Sequence, residues 1–114
     1  QVNYNAEAAQ KAEFLAQRTQ ENLYAFYNGT SNEIVIANTG SVVSTVVDFV
    51  LVKGAQMQLV PVDIVVQPTS SIQIPASSYL PGSFASYTKV GLLTSYGNVF
   101  WVAPGPFLPS SGGF

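Results

Sequence analysis

Asp48 and Asp63 are the two aspartates of the chain, both in strand-forming sequence, and a carboxylate pair is its only acid–base option. Such a pair could act as a glycosidase dyad, one acid protonating the leaving oxygen while the other attacks or activates water. Nothing in their spacing implies proximity, so each reads as a solvated strand or turn residue. The chain has no histidine and no cysteine. That removes the commonest metal ligand, the usual general base and the soft ligands of a metal centre. Serines are plentiful, but there is no Gly-x-Ser-x-Gly elbow and no histidine to activate one. Gly91 and Gly97 form no phosphate loop. Glu33 beside Asn32 is too thin a cluster for calcium. No constellation argues for an enzyme, a cofactor or a metal, and the chain reads as non-enzymatic.

Two other features could carry chemistry. Asn28-Gly29-Thr30 is an N-glycosylation sequon, placed where a helix pattern gives way to strands. Tyr87, Tyr96, Phe100, Trp101 and Phe107 cluster late in the chain. Exposed aromatics there could stack on sugars, so a carbohydrate-binding module around Tyr87 and Tyr96 is one alternative. In strands, alternate residues fall into the core: Val99 and Trp101 share one face, Phe100 and Val102 the other. Most of the cluster is expected in the core, and the exposed remainder is a candidate interface.

The elements that must position these residues change character at Asn28-Gly29. Residues 1–28 hold half of the formal charges, namely Glu7, Lys11, Glu13, Arg18 and Glu21. Ala8, Ala12, Leu15, Thr19, Leu23 and Phe26 step by three or four, which predicts a helix over residues 5–27, thick in apolar residues at its C-terminal end. Asn-Gly is a typical helix stop. The division expected is a helical stalk over 1–28 and a β domain over 29–114. A helix already running near residue 5 suits an ectodomain separated from its membrane anchor.

Alternating Val, Ile, Ser, Thr and Gln fill the second part. Strands are expected at 33–37, 42–52, 56–60, 63–67 and 71–74, with a hairpin of 87–94 and 99–102 around Tyr96-Gly97. About seven short strands at this spacing read as an antiparallel sandwich. The fold class expected is mainly β, an N-terminal α-helix followed by an immunoglobulin-like antiparallel β-sandwich. In the longest strand, Val43, Thr45, Val47, Phe49 and Leu51 form the natural core face. Val42, Ser44, Val46, Asp48, Val50 and Val52 form the other, which is too apolar for plain solvent. It is expected to lie under the helix end or against a partner. The tail from Pro104 to Phe114 reads as irregular, with Phe107 and Leu108 against the sheet.

Charged residues make up 9% of the chain, far below the roughly 25% of an average soluble protein. A net charge of −2 with four basic residues makes nucleic acid a poor partner. Few carboxylates mean few groups whose protonation could destabilise the fold, which suits an acidic exterior.

The order of elements, with "IVIANTGS" (Ile34–Ser41), the long Val-rich strand and "VGLLTSYGNVF" (Val90–Phe100), resembles the archaeal type IV pilin superfamily. That superfamily comprises archaellins, adhesive pilins and accessory archaellin-like subunits. Most of the chain is covered, by short motifs. The hydrophobic helix and processing site of the superfamily are not in this sequence. The chain looks most like the soluble domain of an accessory archaellum subunit, of the type called archaellum protein F or G. The resemblance implies a membrane-anchored protein between cell membrane and surface layer, bracing the filament as a stator does. A pilin or archaellin filament subunit is the alternative. Implied partners are a second copy in a homo-oligomer, other archaellum subunits and surface-layer protein. The contact residues expected are Val46, Val50, Val52, Tyr96, Phe107 and Leu108, with Asn28 as the glycan acceptor.

Overall fold

A computed structural model of the chain describes residues 15–104. Residues 15–20 are helical (α1), and strands follow as β1 (Leu23–Asn28), β2 (Glu33–Asn38), β3 (Ser44–Lys53), β4 (Gln56–Val66), β5 (Ser71–Pro75), β6 (Lys89–Thr94) and β7 (Val99–Ala103). The protein is mainly β. Its strands form one curled seven-stranded sheet in the order β4-β3-β6-β7-β1-β2-β5.

The helix expected over 5–27 therefore ends at residue 20, and strand structure begins at Leu23; residues 5–14 lie outside the described part. Leu-Tyr-Ala-Phe-Tyr-Asn satisfies a helical stripe on paper. Its aromatic residues equally suit a half-buried pleated surface. The sheet decides the matter: Leu23 and Ala25 alternate into the core, and all six residues of β1 pair with β2. Two further expectations are corrected. Pro61 does not divide β4, which runs unbroken from Gln56 to Val66. The sheet is not purely antiparallel, because β1 and β7 pair in parallel through Ala25–Val102 and Phe26–Ala103.

Buried side chains from every strand form a single core cluster. In β3 the inward residues are Ser44 and Val46, then Phe49 and Leu51. A bulge between Val46 and Asp48 reverses the alternation. Strict period two across the whole strand had placed Val46 on the outer face and Val43 in the core. One extra residue flips every side chain on one side of it. Val46 is fully buried and Val43 is exposed. Phe49 meets Tyr79 edge-on at 5.4 Å, a favoured aromatic geometry.

Polar groups inside the fold join its parts. Glu21 is 4% exposed. Its carboxylate accepts from Ser44 Oγ at 2.6 Å, Thr94 Oγ1 at 2.6 Å and Asn98 Nδ2 at 2.9 Å. Asn98 also donates to the Arg18 carbonyl at 3.0 Å and accepts from Arg18 Nε at 3.2 Å. The Asn38-Thr39-Gly40 turn lies against the same segment. Thr39 and Gly40 N–H groups donate to the Asn22 carbonyl, and Ser41 N–H to that of Gln20. A Cβ on Gly40 would stand 2.7 Å from Asn22 N and closer still to the Gln20 carbonyl oxygen, so this approach requires glycine. Buried Asn38 donates through Nδ2 to the carbonyls of Val42 and Val66, both at 2.9 Å.

Truncating Glu21 leaves donors of three side chains without their acceptor. Glu21→Ala is expected to lower stability by about 2–4 kcal/mol, since each orphaned buried donor carries a desolvation cost. Glu21→Gln, which keeps an acceptor oxygen, should cost less. Urea unfolding of both variants checks the ranking, and equal loss would show that the hydrogen bonds are not what matters.

Candidate functional site

The convex side of β4-β3-β6-β7 carries Met57, Leu59, Val99 and Trp101, four of the seven large apolar side chains exposed among the described residues. Register brings its members together: Leu59 on β4 lies opposite Val50 on β3, Val50 opposite Gly91 on β6, and Gly91 opposite Trp101 on β7. The neighbouring rows add Met57, Val52 and Lys89 on one side, and Pro61, Asp48, Leu93 and Val99 on the other. Met57 is 68% exposed and Trp101 47%, with Leu59 and Val99 also open. Alternation supplies the pattern on β3, β6 and β7, where Phe49, Leu51, Val90, Leu92 and Val102 turn into the core.

Gly91 shapes the centre of this face. A Cβ there would meet the Trp101 ring at 2.8 Å and 2.9 Å, and a Val99 methyl at 3.2 Å. Without it, the indole lies across β6. The Lys89 ammonium sits 4.9 Å from the ring centroid, over its face, a cation–π contact. Val50, in the same row beside Gly91, is only 5% exposed.

Of the residues expected to touch a partner, Val50 and Val52 do lie on this face. Val50 forms its floor and Val52 is half-buried. Val46 and Val50 are the two residues expected under the helix end; Val46 is buried in the core cluster, and Val50 lies between Leu59 and Gly91. Val46 is core, by the bulge, and its assignment to the surface is withdrawn. Tyr96 is half-buried, and its hydroxyl donates to Gln17 Oε1 at 3.2 Å, tying the β6–β7 turn to α1. Phe107 and Leu108 lie outside the described residues. Met57, Leu59 and Trp101 were missed as contact residues. Trp101 belongs to the aromatic cluster expected mostly in the core, and Gly91, inside β6, is the residue that could have signalled the space the indole occupies.

Asn28 ends β1, half-buried, and its Oδ1 accepts from Thr30 N–H at 3.0 Å. Asp48 is half-buried opposite Pro61, and Asp63 is exposed further along β4. Among the described residues no group of three His, Cys, Asp or Glu side chains could hold a metal ion. No helix among them is long and apolar enough to cross a membrane.

Comparison with protein-family models, with curated proteins and with solved structures finds no match to this chain.

Gly91→Ala should displace the indole from the face. Overpacking of this kind costs about 1–3 kcal/mol. Trp101 is the single tryptophan, so the emission spectrum reports it directly. A variant with unchanged emission and unchanged stability would mean that the ring does not depend on Gly91.

Proposed function

We propose that the chain is a non-enzymatic structural component of the archaellum machinery. On this reading it is the extracytoplasmic domain of an accessory archaellin-like subunit, membrane-anchored, that anchors or braces the filament through protein–protein contacts. The observation that carries the binding role is the convex apolar face, with exposed Met57, Leu59, Val99 and Trp101 over the floor residue Val50. Exposed apolar patches of several hundred Å² mark interaction sites, and aromatic residues with Met are enriched in interface centres. Asp48 and Lys89 give the face only sparse charge. The partners that fit are apolar protein surfaces: a second copy, another archaellum subunit or surface-layer protein.

The archaellum assignment rests on the resemblance of Ile34–Ser41 and Val90–Phe100. Both stretches have structural duties here that suit a shared framework. Asn38 ties the turn after β2 to Val66 of β4, Thr39 and Gly40 tie it to Asn22 just before β1, and Thr94 and Asn98 hold Glu21. We read the curled sheet as an immunoglobulin-like sandwich. Its β4-β3-β6-β7 and β1-β2-β5 portions share one core, and only two registered pairs of β1 and β7 join them.

Met57→Glu with Leu59→Glu tests the face at positions whose side chains are open, so the fold should be unaffected. Light scattering over a concentration series, alone and with surface-layer protein, should show association of the parent chain and none of the variant. A parent that stays monomeric and ignores surface-layer protein, or a variant that associates equally, would sink the reading.

Asn28 is proposed as the glycan acceptor. Among the described residues its Nδ2 carries no hydrogen bond, whereas those of Asn22, Asn38 and Asn98 are all engaged. In an N-glycosylating archaeal host, mass spectrometry of the Asn28 peptide should show added sugar that Thr30→Ala removes. An unmodified parent peptide would refute it.

A further inference from the structure

A second feature lies beside the convex face. A groove of about 680 Å³ opens where β1 and β7 end and β6 begins, under the 3-10 turn Phe84–Ser86. Its walls are largely aromatic. Tyr27 and Phe84 stack at 4.3 Å with an interplanar angle of 3°. Tyr87 and Trp101 line it as well, with the Lys89 and Trp101 pair at one side and Pro104 at its lip.

The phenol oxygens of this groove are committed elsewhere. Tyr27 OH donates to Asn32 Oδ1 at 2.6 Å, and Tyr87 OH donates to the Pro81 carbonyl. What remains is mostly ring faces, with Thr88, Lys89 and the Trp101 indole N–H as the polar groups of the lining. A sugar would bring hydroxyls that need partners. An extended proline-bearing segment keeps its backbone groups in water and offers no N–H at each proline, and such segments dock into aromatic-lined grooves at low entropic cost.

The chain carries such a segment at the right place. β7 runs parallel to β1 with Ala103 opposite Phe26, so the backbone leaves the sheet level with Tyr27, at the groove's lip. The residues beyond Pro104 read Gly-Pro-Phe-Leu-Pro, followed by Ser, Gly and Phe, with no charge anywhere. In extended form the first five would span on the order of 15 Å, enough to cross a groove of this size.

We propose that this groove binds an apolar, proline-bearing extended peptide, and that its occupant is the chain's own segment Gly105–Phe114. Phe107 supplies the apolar anchor among the aromatic walls. The segment thereby covers the aromatic end of the β1–β7 seam and one flank of Trp101.

The test uses the full chain and its single tryptophan. Phe107→Ser with Leu108→Ser should shift Trp101 emission to the red and raise its quenching by acrylamide. A synthetic peptide of the parent Gly105–Phe114 sequence, titrated into that variant, should reverse both changes saturably. Phe84→Ala introduced into the same variant should abolish the reversal. Unaltered emission in the tail variant, or a peptide without effect, overturns the proposal. Equal rescue with Phe84→Ala moves the segment out of this groove and overturns it too. An emission shift that depends on protein concentration would assign the groove to a second copy's tail and overturn the intramolecular seat. The Met57→Glu, Leu59→Glu variant should keep the parent's emission response, so failure of the partner-binding reading and failure of this one are separable.

Discussion

The fold depends on how the seam between β1 and β7 is held. β1 joins β2 through six registered pairs but joins β7 through two. Parallel pairing is also slightly weaker per residue than antiparallel pairing. The seam is thus the thinnest ladder in the sheet, and it is where the two portions of the curled sheet meet. Glu21, just ahead of β1, compensates for it. Its carboxylate is held by Ser44 of β3, Thr94 of β6 and Asn98 of the β6–β7 turn, all on the far side of the seam. A buried carboxylate is costly when unsatisfied, and donors to a charged acceptor contribute more than neutral pairs do. One side chain from the entry to β1 therefore fixes where that strand lies relative to three elements of the other portion. The turn at Asn38–Gly40 secures the same segment from the opposite direction, through backbone bonds to Gln20 and Asn22.

This dependence explains what could and could not be read in the residues. Strand positions after residue 30 were legible because Val, Ile and Thr alternate between turn residues, and β2, β5 and the β6–β7 hairpin fall close to where that pattern puts them. The Asn38-Thr39-Gly40 turn was legible too, though its reason was not: Gly40 is needed for a close approach to a segment far away in sequence. β1 was misread because Leu23, Tyr24, Phe26 and Tyr27 fit a helical stripe and a strand about equally, and pairing with β2 settles the choice. Glu21 looked like one more solvated helix charge. Nothing local distinguishes it from Glu7 or Glu13, since its partners sit up to 77 residues away.

The outer face was legible in kind but not in detail. A strand too apolar on both sides announces a second buried or bound surface, and Val50 and Val52 were found that way. The bulge at Val46–Asp48 was not visible in the residues of β3 itself; its one mark is Pro61, which stands opposite Asp48 on β4, and the bulge moved Val46 inward. Cross-strand register then decides which residues share the face. Met57 and Leu59 join it only because β4 pairs with β3 as it does, and Trp101 only because Gly91 leaves room for the indole.

The edges of the sheet make the face the more credible contact surface. An open sheet ends in unpaired backbone donors and acceptors, which template pairing with other chains unless guarded. Here the edges are β4 and β5. β5 is five residues long and ends in Pro75, and β4 carries Pro61 near its middle. A proline has no N–H to offer and interrupts any strand laid alongside it. Asp63 and the polar residues Gln56 and Gln58 are exposed along β4 as well. Edge-to-edge growth is thus opposed at both ends by side chains that contribute little to the core. The convex face is guarded sparsely: Asp48 is half-buried at one side, the Lys89 ammonium is engaged with Trp101, and the floor is Val50.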